Sequence, residues 1–219
     1  MHISAIIVAA GSSKRMGSRI NKPYLLLKGF PLLYYSISTF LKNSKINEVI
    51  TVIRKQDKKI FSELAKKYKF KKIKYVFGGK VRQDSVYNGL KAVKKNCNIV
   101  LIHDAARPFI TNKLVNSLIK NAVRHKAVIP VAPVKETVKR SSDKKFIDAT
   151  LDRGKLFLAQ TPQIFEYNLI MDAYKSAYNS NFYGTDDAML VEKMNHPVRI
   201  IFGDEKNIKV TTINDIKLL

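Results

Sequence analysis

Between residues 3 and 133, short apolar runs alternate with stretches whose apolar residues repeat at helical spacing. ISAIIVAA is followed by PLLYYSISTFL, whose pattern suits a helix starting at Pro31. EVITVIR is short and β-branched, a strand, and FSELAKKY reads as a helix. KYVFGG is a further strand ending in two glycines, and VRQDSVYNGLKAVKK then sets Val86, Leu90 and Val93 on one helical face. NIVLIHDAARPF holds a buried run closed by a polar loop. TNKLVNSLIKNAVRHK opens on a Thr111 cap and keeps its apolar pairs at helical spacing, and AVIPVAPV is again strand-like. This alternation predicts an α/β sandwich with a mostly parallel sheet.

In such sheets ligands bind where the strands end at their carboxyl edge. The segments AAGSSKRMG, GGKVRQDS and HDAARP, distant in sequence, are therefore expected to gather on one rim. From about Val134 to Gly154 the pattern becomes polar and partly alternating around a turn-like SSDKK, which predicts a hairpin leaving the body. The chain then returns through LFLAQTPQIF, a helix from about Glu166, a second from Asp186 and the strand VRIIFGD.

A length of 219 residues suits one medium-sized domain, and 46% hydrophobic content supports a packed core. No apolar stretch approaches the roughly 20 residues that span a bilayer. The start, MHISAIIVAAG, lacks a basic leader. A single cysteine, Cys97, excludes an internal disulfide and makes a reducing cytoplasm the default; its place among lysines near a helix end reads as buried filler. The net charge of +23 is compatible with nucleic acid, an anionic surface or anionic small substrates. Its 40 basic residues are spread along the chain, and no nucleic-acid signature accompanies them, so solvated lysines on outer faces are the favoured reading.

The opening turn is neither a GxxxxGK[ST] loop nor a GxGxxG loop. Its small residues Ala9, Ala10 and Gly11 still let backbone N–H groups approach a phosphate, with Arg15 able to make a fork and Lys22 a point charge; a basic surface loop is the alternative. Asp104 ends a buried strand, where it can hold a divalent cation or simply cap the next segment. His103 is read as structural, and four scattered histidines argue against zinc. In GGKVRQDSV the glycines permit close approach of a flat base whose edge Ser85 can bond, whereas capping by Asp84 or Ser85 is the simpler role. No nucleophile–base pair is present.

Taken in order, AAGSSKRMG with NKPYL, GGKVRQDSVYNGL, LIHDAARPF, PVKETVKR, LDRGKLFLAQTPQIF, GTDDA and NIKVTT resemble the 2-C-methyl-D-erythritol 4-phosphate cytidylyltransferase family over residues 3–215. The resemblance implies a Rossmann-like three-layer sandwich of nucleotidyltransferase type, a single domain over 1–219 with a β-hairpin arm at 134–154. It implies transfer of CMP from CTP to the sugar phosphate with release of pyrophosphate, assisted by Mg2+. Arg15 and Lys22 would stabilise charge at the α-phosphate, and Ala9, Ala10, Gly11, Gly79, Arg82 and Ser85 would line the nucleotide site. Asp104, Arg107, Thr161, Thr185 and Lys209 would surround the sugar phosphate and metal. The arm would make a homodimer and carry Thr137 and Arg153 into the partner's site. No nucleic acid or membrane partner is implied.

The chain departs from the commonest family pattern at Ser13, Pro23, Lys80 and Glu136, none of which removes a proposed catalytic group. A phosphate oxygen as nucleophile, already mostly ionised near neutrality, needs no general base. That accords with the missing constellation. Transfer to ribitol 5-phosphate or another polyol phosphate is the nearest rival, and a basic nucleic-acid-binding protein is the rival of another class.

Overall fold

The computed structural model describes residues 1–11, 21–71 and 73–217. Its central sheet has eight strands. Four are parallel neighbours: β1 (Ile3–Val8) lies between β4 (Glu48–Ile53) and β6 (Ile99–Asp104), and β5 (Ile73–Phe77) flanks β4. A small antiparallel pair, β2 (Leu26–Leu27) and β3 (Phe30–Pro31), precedes α1 (Leu32–Leu41). The remaining crossovers are α2 (Lys58–Lys67), α3 (Arg82–Lys91) and α4 (Asn112–His125). Beyond β6 the sheet becomes mixed. β7 (Ala127–Pro133) pairs in parallel with β12 (Arg199–Phe202) on one side. On its other side run β10 (Phe157–Ala159) and β11 (Gln163–Glu166), both antiparallel.

Val128 pairs with both Ile164 and Arg199, and Val131 with both Ala159 and Phe202, so β10 and β11 share one edge of β7 as a broken strand. β11 then bridges to β6, with Gln163 opposite Ile102. The break, Gln160–Pro162, therefore falls beside the carboxyl end of β6.

The strands read as continuous apolar runs because both faces are covered. Ile3, Ala5 and Ile7 face α1, α2 and α4 through Leu33, Ile37, Phe40, Phe61, Leu64, Val115 and Leu118. Ile6, Ile50, Val100 and Ile102 face α3, α5 (Tyr167–Asn179) and α6 (Asp187–Glu192) through Val86, Leu90, Ile170, Ala173 and Val191. Gly89 lets α3 sit close on β1, since a Cβ there would lie 2.7 Å from Ile6 Cγ2. The Thr111 cap is formed, its hydroxyl accepting from Leu114 N–H at 3.3 Å. α1 begins one residue after Pro31, and α3 stops at Lys91, although Val93 is buried as its spacing predicted.

Within residues 134–154 the chain forms an antiparallel ladder, β8 (Lys139–Arg140) on β9 (Ala149–Thr150). Asp143 shapes its turn by accepting from Lys145 and Phe146 N–H. A short C-terminal helix, α7 (Ile213–Lys217), ends the described chain. Among the described residues no helix is long and apolar enough to cross a membrane.

Candidate active site

Parallel register brings the expected segments together. Val8 lies opposite both Val52 and Asp104, and Ile53 opposite Phe77, so four strands finish at one level. The loops continue the pairing: Ala9 N–H donates to Val52 O (2.8 Å), Gly78 N–H to Ile53 O (2.9 Å) and Ala105 N–H to Val8 O (3.1 Å). Gly78 abuts the Ala10 side chain so closely that no Cβ would fit between them, and a Cβ there would also lie 2.7 Å from Ser85 Oγ. The glycine pair thus joins the first and third loops over the end of β4. Ser85 Oγ accepts from Gly79 N–H (3.1 Å) and donates to Val81 O (3.0 Å), while Asp84 accepts from Val81 N–H (3.3 Å). Both hydroxyl and carboxylate brace the start of α3, as the capping alternative held.

Asp104 anchors the centre of the rim. Its Oδ1 accepts from Arg82 Nε at 3.2 Å and its Oδ2 from Lys209 Nζ at 2.5 Å. Burial opposes ionisation of this carboxyl, but the Arg82 and Lys209 charges prevail and hold it well below the usual carboxylate range. Behind it His103 is fully buried, and burial pushes its pKa down to about 4 despite the Asp104 charge. Its Nε2 contacts Arg107 O (3.1 Å) and its Nδ1 contacts the Thr161 hydroxyl (3.1 Å). A carbonyl only accepts, so Nε2 carries the proton and Nδ1 accepts from Thr161. Thr161 Oγ1 in turn accepts from Asp104 N–H at 3.1 Å. Neutral His103 is structural, as expected, and Thr161 orients the Asp104 backbone.

Arg107 donates from Nη1 to Asn207 O (2.7 Å) and from Nη2 to Ala159 O (3.0 Å); its Nε has no hydrogen-bond partner among the described residues. Asn207 Nδ2 donates to Thr161 O (2.9 Å), and Gln160 Nε2 to Asp204 O (2.9 Å). Val210 N–H closes on Ala106 O (2.8 Å). These bonds staple the 203–210 segment to the rim and so place Lys209. At the next residue but one, Thr211 O accepts from Lys22 Nζ at 3.2 Å, bringing Lys22 to the same corner. Lys22 starts a 3-10 turn (Lys22–Tyr24), docked by Asn21 Nδ2 donating to Asp57 Oδ2 at 2.9 Å.

Arg82 reaches a second carboxylate. Its Nη1 and Nη2 donate to Asp187 Oδ1 (3.1 Å) and Oδ2 (2.8 Å), and Tyr174 OH donates to Oδ1 at 2.6 Å. Burial alone would lower the guanidinium pKa, but Asp187 and Asp104 hold it well above its ordinary value. Sequence reasoning missed Asp187, Tyr174, Asn21 and Asn207. Asp187 is hidden in GTDDA beside Asp186, which caps α6 by accepting from Met189 N–H (3.0 Å).

Arg15 lies outside the described residues. Thr185 is exposed, with its N–H and hydroxyl at 3.5 and 3.6 Å from Met189 Sδ. Thr137 and Arg153 are exposed, Arg153 donating to Lys135 O at 2.6 Å, and among the described residues neither makes a hydrogen bond to the rim cluster. No group of three or more His, Cys, Asp or Glu side chains able to hold a metal occurs among the described residues. Asp104 faces the rim's cations, and among the described residues each of its oxygens takes one donor.

The arrangement is a set of cations around a rim, suited to holding phosphates and neutralising charge. Comparisons with known proteins agree. Residues 3–219 match the family model described as IspD, 2-C-methyl-D-erythritol 4-phosphate cytidylyltransferase. The chain is 48% identical over 216 residues, 98% of its length and 91% of the relative's, to 2-C-methyl-D-erythritol 4-phosphate cytidylyltransferase of Clostridioides difficile strain 630. The crystal structure of 4-diphosphocytidyl-2C-methyl-D-erythritol synthase from Anaerococcus prevotii superposes with a TM-score of 0.89 at 37% identity, covering 99% of this chain and 93% of that one. The 2-C-methyl-D-erythritol 4-phosphate cytidylyltransferase of Thermus thermophilus gives 0.81 at 28% identity, covering 100% and 97%. The chain belongs to the 2-C-methyl-D-erythritol 4-phosphate cytidylyltransferase family.

Proposed function

We propose that this chain transfers the cytidylyl group of CTP to 2-C-methyl-D-erythritol 4-phosphate. A phosphate oxygen of the sugar attacks the α-phosphorus in line, the bond to the β-phosphate oxygen breaks, and pyrophosphate leaves as CDP-methylerythritol forms. The observation that carries this reading is the convergence of Lys22, Arg82, Asp104 and Lys209 from four distant segments on one carboxyl rim. Several anionic groups must be brought together, so the protein's work is charge neutralisation and alignment.

Ala9, Ala10, Gly11, Gly79, Arg82 and Ser85 form the nucleotide side. Lys22, with Arg15, stabilises the charge developing at the α-phosphate. Lys209 binds the incoming phosphate, Arg107 and Thr161 hold the wall that places it, and Thr185 lies at its edge. Mg2+ with one carboxylate and several phosphate oxygens is a common donor set, and Asp104 fits it. Bound there, the ion would neutralise triphosphate charge. The same reading places Thr137 and Arg153 of the 134–154 arm in the site of a second copy, making a homodimer. The single buried thiol, Cys97, supports a cytoplasmic location.

Pyrophosphate release from purified protein tests the assignment, crossing CTP, UTP and ATP with methylerythritol phosphate and ribitol 5-phosphate. The expected result is turnover with CTP and methylerythritol phosphate that stops on chelation of the divalent cation. Preference for ribitol 5-phosphate, or no turnover, would overturn it.

A further inference from the structure

Asp187 is fully buried, and a buried carboxylate adds little stability for its desolvation cost. Its surroundings nevertheless hold it tightly. Gln163 Oε1 accepts from the Asp187 and Ala188 N–H groups (3.1 and 3.0 Å), tying the start of α6 to the strand beside β6. Tyr174, itself buried and stacked on Tyr87 with centroids 5.8 Å apart, aims its hydroxyl at Oδ1. Each Nη of Arg82 donates once to Asp187 while its Nε donates to Asp104, so one guanidinium bridges the two carboxylates. With both Nη atoms fixed on one carboxylate, the plane and heading of the guanidinium are set, and its Nε–H meets Asp104.

We propose that Asp187 and Tyr174 are positioning residues that aim Arg82 at Asp104 and, through Asp104, fix Lys209 on the rim. The inference rests on the cytidylyltransferase reading and deepens it. Arg82 opens the helix after the glycine loop, whereas Lys209 lies on the segment held by Arg107, Thr161 and Ala106, so this chain of contacts ties the nucleotide side to the acceptor side. Without the Asp187 charge, the Arg82 fork is free to close on Asp104 and pull it from Lys209.

Steady-state pyrophosphate release by the full chain tests this with Asp187→Asn, Tyr174→Phe, Arg82→Lys and the Asp187→Asn/Arg82→Lys double variant. Asp187→Asn is expected to lower kcat/KM about tenfold or more and Tyr174→Phe about threefold, within the range of coupled contacts. Since Asp187 acts through Arg82, the double variant should be no worse than Arg82→Lys alone. A purely structural Asp187 would instead give multiplying losses that follow the drop in Tm. Multiplying losses, or wild-type kcat/KM in both Asp187→Asn and Tyr174→Phe, overturn the inference while the wild type remains active. An inactive wild type overturns the underlying reading and this one with it. Should Asp187→Asn fail to fold, Tyr174→Phe, which keeps the ring packing, replaces it in the cycle.

Discussion

Two buried carboxylates sit at opposite ends of the same sheet, and their partners differ in kind. Glu48 opens β4 at the amino edge, with its side chain 3% exposed; Asp104 closes β6 at the carboxyl edge, at 11%. Glu48 accepts from Ser4 Oγ (2.9 Å), Lys74 Nζ (2.7 Å) and Lys94 N–H (3.2 Å). Burial opposes its ionisation, but those bonds outweigh burial and lower its pKa. Two of those partners come from the flanking strands, so Glu48 fastens neighbours that already touch. Asp104 gathers two cations from positions 22 and 105 residues away in sequence, beside the segment carrying Lys22. One acid closes a strand edge; the other holds charge where a substrate can meet it.

Substituting each acid separates the two roles. Asp104→Asn should lower kcat by about 100-fold or more, the scale of losing one preorganised electrostatic contact, measured by pyrophosphate release. Retained turnover in that variant would make Asp104 a second Glu48. Mild acid should act next, through the histidine behind Asp104. His103 is held near pKa 4 in the folded chain, below its ordinary 6.5, so the unfolded chain takes up the proton first as pH falls. Stability is fully present above pH 6.5 and should decline by about 3 kcal/mol as pH falls towards 4, the worth of such a shift. Denaturant melts across that window, compared with His103→Gln, isolate this contribution. Glu48→Gln should have the smallest effect, about 1–3 kcal/mol of unfolding free energy with kcat unchanged, since the amide keeps one acceptor oxygen. A loss of kcat at full stability would erase the contrast.

The parallel core was legible because strands buried on both faces show as apolar runs, unbroken in IIV and IVLI and interrupted only by Thr51 in VITVI. That pattern also put the loops of Ala9–Gly11, Gly78–Ser85 and Asp104–Arg107 on one rim. The broken strand Phe157–Glu166 was not foreseen as strand. Its middle, Gln160 and Thr161, is polar, and both are buried for hydrogen bonds made to residues far along the chain. Asp187 escaped for a similar reason. Next to a capping Asp186 it looks like a second acid of a helix start, and only the fold brings Arg82, 105 residues away, to its oxygens. Tyr174 follows a helical apolar pattern like any core aromatic, and nothing in its spacing marks the hydroxyl as engaged.

On the proposed mechanism this rim accelerates nucleotidyl transfer by charge and alignment, with no protein base. Lys22 tests it most directly, because its ammonium sits beside the Lys209 segment yet lies outside the packed core. The decisive measurement is kcat for CTP and methylerythritol phosphate in Lys22→Ala, with Tm recorded on the same protein. The expected result is a fall of about 100-fold or more with Tm nearly unchanged. Turnover close to that of the unaltered chain would contradict it.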